Sequence, residues 1–285
     1  MSSSENAQFG EPPAGNGETP LTVPVAADSS VPPAVALSPA PARRDPVWSG
    51  WDVALIAGLT VLTIPVLVVS LGVAAHLLWP RTNINSIAPM LLVAAQFVAY
   101  IVVAIFMIML VEGKYHVRFW QAIHWNWPRA GLGMLGLGVL LLLCVDVAAR
   151  FLPMPKNTPF DQFFSHPRDA YFISVFAVTL GPLMEELFFR GLLYPVLARR
   201  WGVFWGVLVT ALPFGLMHMF QYGYAWGVVL LIFLMGVVCT VVRARTGSVA
   251  ASFLVHVGYN GTEMFLLLLA TDGFRHMEKA GLALF

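Results

Sequence analysis

Three polar motifs lie inside long apolar segments of this 285-residue chain, and their residue types could together hydrolyse a peptide bond. They are Glu185-Glu186-x-x-x-Arg190, Phe214-x-x-x-His218 and His256-x-x-x-Asn260. A charged side chain at the centre of a membrane helix costs about 2.5–3.5 kcal/mol on insertion scales. We therefore expect the charged residues of the first motif to face a protein interior or a wet cavity, where they become functional-site candidates.

The first motif contains one ion pair and one further carboxylate. Glu186 and Arg190 are four residues apart with the acid first, the favourable order for an ion pair on a helix. Glu185 lies about 100° further round the helix, and one Arg cannot neutralise two carboxylates. We expect Glu186 to pair with Arg190 and Glu185 to remain free to act as a base. The pair could equally be a packing clamp between helices, because buried pairs often only specify geometry.

The other two motifs supply the remaining parts of a hydrolytic site. Attack of water on an amide needs a base, donors aimed at the developing oxyanion, and a proton for the leaving amine. A carboxylate with a histidine can activate the water, and a second histidine with an asparagine amide can bind the oxyanion. The candidate catalytic residues are Glu185, His218, His256 and Asn260. Each histidine could instead be a bundle residue that bonds a neighbouring carbonyl.

Composition indicates what surrounds these motifs. The chain is 58% hydrophobic and 11% charged, whereas soluble domains carry about 25% charged residues. The chain is therefore suited to a lipid bilayer. Its net charge of +1 gives no electrostatic case for nucleic acid as a partner. Cys144 and Cys239 fall in apolar runs without the spacing of a zinc site or a disulfide framework.

Long apolar stretches predict an all-α, polytopic transmembrane helix bundle of about seven to eight spanning helices. A hydrocarbon layer of about 30 Å needs about 20 apolar residues in a helix. Seven stretches qualify: Val53–Trp79, Ile87–Val111, Leu132–Leu152, Tyr171–Ala198, Val203–Phe220, Trp226–Val242 and Val249–Ala270. Each motif lies on its own predicted helix, and Pro182 predicts a kink just before Glu185. Phe119–Pro128, with three tryptophans, is typical of a membrane–water interface.

Four regions follow from this pattern. Residues 1–47 are a Pro-, Ala- and Ser-rich segment of the kind that stays disordered. Residues 48–165 hold the N-terminal membrane helices, 166–272 the motif-bearing core, and 273–285 a short C-terminal tail. Lys and Arg are in excess in the loops on the side of the N-terminus, which predicts a multi-pass protein of the cell membrane with a cytoplasmic N-terminus.

The order and spacing of the three motifs resemble the CAAX-protease and bacteriocin-processing family, also called the Abi family, over roughly Tyr171 to Ala270. The resemblance implies a membrane-embedded glutamate-type endopeptidase without a bound metal or other cofactor. It implies that Glu185 and His218 activate the water, that His256 and Asn260 bind the oxyanion, and that Glu186 and Arg190 orient the helix. Eukaryotic members cut prenylated C-terminal tails, while many bacterial members act in bacteriocin immunity or have unknown substrates. The partners implied are the bilayer and a peptide or protein substrate, lipidated in some members.

Two alternatives remain open at this stage. A zinc-dependent membrane peptidase would use the same ligand types, but the chain lacks His-Glu-x-x-His. A transporter, or a non-catalytic membrane partner, could instead line a polar pathway with the buried charges. Asp146 could join such a path, although its spacing to Arg150 predicts an i,i+4 ion pair.

Overall fold

Nine α-helices make up most of the part of the chain that the structure describes, residues 45–81, 83–155 and 157–282. The structure is a computed structural model. The helices are α1 (Gly50–Leu78), α2 (Ile84–Tyr115), α3 (Phe119–Ala122), α4 (Gly131–Ala149), α5 (Pro167–Val178), α6 (Leu180–Glu186), α7 (Tyr194–Leu216), α8 (Trp226–Thr246) and α9 (Val249–Ala270). A π-helical segment, Leu187–Leu193, joins α6 to α7, and 3-10 helices cover Pro159–Phe164 and Met277–Leu282. The described residues contain no strand, which confirms the predicted all-α fold.

Six helical segments within the described ranges are long and apolar enough to cross a membrane. The fourth, Pro167–Leu216, has 50 residues, and a straight helix of that length would span about 75 Å, more than twice the hydrocarbon layer. It is interrupted at Gly202, whose φ of 82° and ψ of 167° are not helical. Gly202 lies between the fourth and fifth predicted stretches, so the six segments correspond to the seven stretches predicted from the sequence.

The break predicted beside Pro182 is present. Helix α5 ends at Val178, Thr179 has a φ of −115° and a ψ of −76°, and α6 begins at Leu180. A proline has no N–H for the carbonyl four residues earlier, and its ring clashes with that carbonyl. For Pro182 that carbonyl belongs to Val178, the last residue of α5. The break thus starts a new helix axis just ahead of Glu185.

Helices α4 and α9 pack with their backbones in close approach. A Cβ built on Gly138 would lie 2.2 Å from the carbonyl oxygen of Val255, and one built on Gly258 would lie 2.3 Å from that of Leu135. Only glycine fits at both positions, as is common where membrane helices cross closely. This contact fixes the stretch of α9 that carries His256 and Asn260.

An aromatic cluster marks the segment between α2 and α4. Trp120 packs edge-on against Trp125, and Trp125 against Trp127, with ring centroids 5.4 and 5.7 Å apart. Trp120 and Trp127 are exposed. Large aromatic side chains placed this way suit the membrane–water interface predicted for this segment.

Two predicted tails contain residues that pack on the bundle. Residues 1–44 lie outside the described ranges, but the carbonyl of Pro46 accepts a hydrogen bond from Arg199, so the predicted tail of 1–47 ends in a bonded segment. In the C-terminal tail, Phe274 is buried and its ring packs against Phe164 and Tyr171. Gly273, with a φ of 70°, allows the turn that brings Phe274 back to the bundle.

Candidate active site

The predicted ion pair lies at the junction of α6 and the π-helical segment. Glu186 is the last residue of α6, and Arg190 lies within Leu187–Leu193. Both side chains are 0% exposed, and Arg190 Nη1 donates to Glu186 Oε1 at 2.8 Å. The ion pair expected from the spacing is therefore present. Short π-helical turns inside α-helical segments are frequent at functional sites.

Arg190 ties this junction to α8 and α7. Its Nη2 donates to the carbonyl of Gly236 at 2.9 Å, and its Nε donates to the hydroxyl of Thr240 at 3.2 Å. The guanidinium carbon also lies 4.4 Å from the centre of the Phe214 ring, within range of a cation–π contact. One guanidinium thus holds three helical elements in register, because its donors point in fixed directions.

Glu186 accepts hydrogen bonds from three buried donors. Arg190 and His256 Nδ1 both lie on Oε1, the latter at 2.9 Å, and the Ser252 hydroxyl donates to Oε2. A buried carboxylate is stable when it is paired and hydrogen-bonded in this way. Glu186 therefore has little capacity left for water or substrate, and it positions the His256 ring.

His256 lies between the two adjacent glutamates. Its Nε2 is 3.7 Å from Glu185 Oε2, while its Nδ1 bonds Glu186. The His256 side chain is 3% exposed and that of Glu185 is 15% exposed. With both ring nitrogens protonated, His256 would complete a set of two carboxylates and two cations with no net charge. Glu185 is the member of the set that reaches furthest toward the surface.

His218 lies just beyond the end of α7, so the prediction that each motif lies on a helix is wrong for the second motif. Helix α7 ends at Leu216, four residues before the predicted end at Phe220. The next backbone bonds run from His218 to Gly215 and from Met219 to Leu216. Bonds to the third preceding residue tighten and end a helix.

The His218 ring nevertheless stays close to the charged cluster. Its Nδ1 lies 2.9 Å from the carbonyl oxygen of Phe214. A carbonyl can only accept, so Nδ1 carries the proton and Nε2 of a neutral ring is left as an acceptor. The Phe214 ring contacts both His218 and His256, with centroids 5.4 and 5.9 Å away.

Asn260 lies one turn beyond His256 on α9, and its Nδ2 donates to the carbonyl of Ala177 on α5 at 2.8 Å. Within the described residues, no hydrogen bond joins Asn260 to Glu185, His218 or His256. The structure thus brings Glu185, Glu186, Arg190 and His256 into direct contact. It joins His218 to this group through Phe214, and it ties Asn260 to α5.

Two hydroxyl residues of the network escape the motif-based prediction. Ser252 bonds Glu186 and Thr240 bonds Arg190, and both are fully buried. A sequence signal exists for Ser252, since it precedes His256 by one helical turn and so shares its face. Thr240 lies on a different helix from the motif it supports, and its single hydroxyl in an apolar run carries no comparable signal.

Asp146, the further acid considered for a polar pathway, is paired on its own helix. Asp146 and Arg150 form the expected i,i+4 pair at 3.2 Å, with side chains 30% and 66% exposed. Among the residues that the structure describes, no group of three or more His, Cys, Asp or Glu side chains is arranged to hold a metal ion.

Comparison with known proteins identifies the motif-bearing region. Residues 167–262, about a third of the chain, match the family model described as type II CAAX prenyl endopeptidase Rce1-like. No curated protein and no solved structure matched the chain. The match contains all three motifs and confirms the family predicted from them, and that family supports a membrane endopeptidase. Over residues 167–262 the chain, an integral membrane protein, is similar to the Rce1-like family of CAAX prenyl endopeptidases.

Proposed function

We propose that this protein is a metal-independent, glutamate-type endopeptidase that cleaves a peptide bond near or within the membrane. The observation that carries the proposal is the position of His256 between Glu185 and Glu186. Glu186 is saturated by buried donors, whereas the partly exposed Glu185 forms an ion pair only with His256 among the described residues. Glu186 thus anchors His256, and Glu185 is the general base.

The reaction begins with a water molecule placed between Glu185 and His218. Its oxygen attacks the carbonyl carbon of the peptide bond while its proton passes to Glu185, with the free Nε2 of His218 as a second acceptor. The negative charge on the carbonyl oxygen is stabilised by protonated His256 and by the amide of Asn260. When the intermediate collapses, the C–N bond breaks and the proton is returned to the leaving amine.

Asn260 can take part while it keeps its bond to Ala177. Its Nδ2 has two hydrogens, of which one is used by the carbonyl of Ala177. The second hydrogen is available to the oxyanion without breaking the tie to α5. The bond to Ala177 then serves to hold the amide in its orientation, as preorganised donors require.

The substrate class follows from the family and the membrane. We propose a peptide or protein partner that reaches the site from the bilayer, and the description of the matched family model as a CAAX prenyl endopeptidase supports a prenylated substrate as one such class. We further propose that the protein lies in the cell membrane with its N-terminus in the cytoplasm, from the excess of Lys and Arg in the loops on that side.

Peptide release by purified protein in liposomes tests the proposal. Wild type and Glu185→Gln are incubated with a peptide library that includes prenylated and unmodified members, and new termini are identified by mass spectrometry. We expect wild type to hydrolyse some of these peptides. The rate should fall by about 10²–10⁴-fold in Glu185→Gln, because a general base contributes about that factor to the rate. Glu278→Gln, at an exposed position of the C-terminal segment, is the matched control and should retain full activity.

Metal content is measured on the same preparations. We expect activity to persist in a chelator, with no stoichiometric zinc bound. If zinc is bound stoichiometrically and is lost together with activity, the glutamate-type mechanism is wrong and the protein is a metallopeptidase. Equal function in wild type and Glu185→Gln would instead favour a non-catalytic membrane partner or a transporter.

A further inference from the structure

Glu263 is a carboxylate on the motif-bearing face of α9 that the proposed mechanism does not use. It follows His256 by seven residues and Asn260 by three, on a helix that runs without a break from Val249 to Ala270. At 100° per residue, Glu263 lies within about 20° of His256 around the axis. The rise of 1.5 Å per residue places it about 10 Å further along the helix.

Glu263 has no counter-charge within residues 45–81, 83–155 and 157–282. Among the described residues it makes no hydrogen bond and no ion pair, in contrast to the fully bonded Glu186. A carboxylate in a membrane helix without a partner is costly and is retained where a function needs it. The missing partner is a cation or a strong donor.

Two tyrosines interact electrostatically with Glu263. Tyr259 precedes Glu263 by one turn and lies within its electrostatic range. Tyr222 comes from the turn that holds His218, where its backbone N–H donates to the carbonyl of His218 at 3.1 Å. Burial and the nearby carboxylates of Glu263 and Glu185 raise the pKa of the Tyr222 phenol. Tyr222 therefore senses both acids, and the helix position of Glu263, seven residues after His256 on α9, puts it on the same face as the proposed site.

We infer that Glu263 is a specificity residue that binds a Lys or Arg side chain of the substrate, two or three residues from the bond that is cut. This inference rests on the proposed function. An extended peptide advances about 3.3 Å per residue, so about 10 Å along α9 corresponds to about three residues. The length and flexibility of a Lys or Arg side chain extend the range to a residue two positions away.

Cleavage-site profiling in liposomes tests this inference. Sites cut by wild type and not by Glu185→Gln should be enriched in Lys or Arg two or three residues from the cut. Matched peptides that carry Lys, Gln or Glu at that position then separate charge from shape. For the Lys peptide, Glu263→Gln should raise KM by about 10- to 100-fold, the factor expected for one hydrogen bond to a charged group. Its KM for the Gln peptide should not change.

Reversing the charge at position 263 should change which peptide the protein prefers, and a purely structural role of Glu263 would not produce that change. Glu263→Lys should prefer the Glu peptide over the Lys peptide, with the melting temperature measured in parallel to show that the protein is folded. Equal KM values for all three peptides with wild type would overturn the inference. An equal loss of kcat for every peptide in Glu263→Gln would also overturn it, because that pattern indicates a role in packing.

Peptide binding separates this inference from the proposed function. Affinities of the Lys and Gln peptides are measured by fluorescence anisotropy on Glu185→Gln and on Glu185→Gln/Glu263→Gln. If wild type cuts nothing but Glu185→Gln prefers the Lys peptide and the double variant does not, the endopeptidase proposal fails and the Glu263 site stands. If neither cleavage nor a preference is found, both fail.

Discussion

His256 bonds Glu186 through Nδ1 at 2.9 Å while its Nε2 lies 3.7 Å from Glu185, so one imidazole separates two consecutive carboxylates. Consecutive residues of a helix point about 100° apart, and here this divergence gives each acid a different environment. Glu186 bonds buried donors from two helical elements, the π-helical segment and α9. Glu185 is 15% exposed and lies beside His256 Nε2. The two acids of the motif therefore have different surroundings, and we expect substitutions at each to fail in different ways.

Arg190→Ala should destabilise the whole bundle. It removes the counter-charge of Glu186 and also the bonds to Gly236 and Thr240. Leaving one member of a buried pair uncompensated costs about 3–5 kcal/mol. We expect a low yield of folded protein and a lowered thermal midpoint in detergent, with activity lost in parallel. A stable but inactive Arg190→Ala protein would mean that Arg190 acts in the chemistry itself.

An exposed arginine provides the control for that experiment. Arg275 lies 4.0 Å from Asp272, and both side chains are 72% exposed. Exposed pairs contribute about 0–1 kcal/mol, so Arg275→Ala should leave yield and thermal midpoint close to those of wild type.

Ser252→Ala tests whether the anchor positions His256. The change removes the hydroxyl that donates to Glu186 Oε2, and a lost hydrogen bond to a charged group costs about 1.5–3 kcal/mol. Since Glu186 keeps Arg190, we expect a folded protein with a lowered thermal midpoint and a reduced kcat. Ser70→Ala, at an exposed position of α1, is the control. Unchanged stability and kcat in Ser252→Ala would show that Glu186 does not depend on this donor.

Contacts within one helical segment of this site could be predicted from the sequence, whereas contacts between segments could not. The Glu186–Arg190 pair follows from i,i+4 spacing, and the helix bundle follows from the lengths of the apolar runs. The contact between His256 and Glu186 joins positions 70 apart, and it depends on how α6 and α9 pack. No periodicity within either segment encodes that packing. Thr240 was missed for the same reason.

The end of α7 was predicted too late because hydropathy and hydrogen bonding disagree there. The apolar run continues to Phe220, but after Met217 the backbone changes to bonds with the third preceding residue. Pro213 lies in this last turn and has no N–H to donate. Hydropathy detects the lipid-facing character of these residues and not the change in bonding.

Gly138→Ala should separate α4 from α9. Its new Cβ would lie 2.2 Å from Val255 O and 2.7 Å from Tyr259 N, which are backbone atoms that cannot rotate away. Overpacking of this kind costs about 1–3 kcal/mol, and it acts on the part of α9 that carries His256. We expect a lower thermal midpoint together with reduced activity.

Gly136→Ala on the same helix is the matched control for the crossing. Its Cβ would meet nothing within 4 Å, and alanine is better than glycine in a helix by about 1 kcal/mol. It should leave stability unchanged or slightly raised. Equal behaviour of the two variants would contradict a close crossing of α4 and α9.

Combining Glu185→Gln with Asn260→Ala tests whether Glu185 and Asn260 stabilise the same transition state or act in independent steps. Glu185→Gln keeps the size of a side chain whose only described polar contact is His256, so the folded state should persist while the proton acceptor is lost. Asn260→Ala removes one oxyanion donor, which is worth about 10²–10³-fold in kcat. Residues that act on the same transition state are strongly non-additive, so the double variant should be little slower than Glu185→Gln.

Pre-steady-state release of product from one peptide, measured for wild type, both single variants and the double variant, gives the four rates. Asn260→Ala also loses the bond to Ala177, so thermal midpoints are recorded to separate unfolding from slow chemistry. If the two losses multiply in full, Glu185 and Asn260 do not serve the same step, and the assignment of Asn260 to the oxyanion must be abandoned.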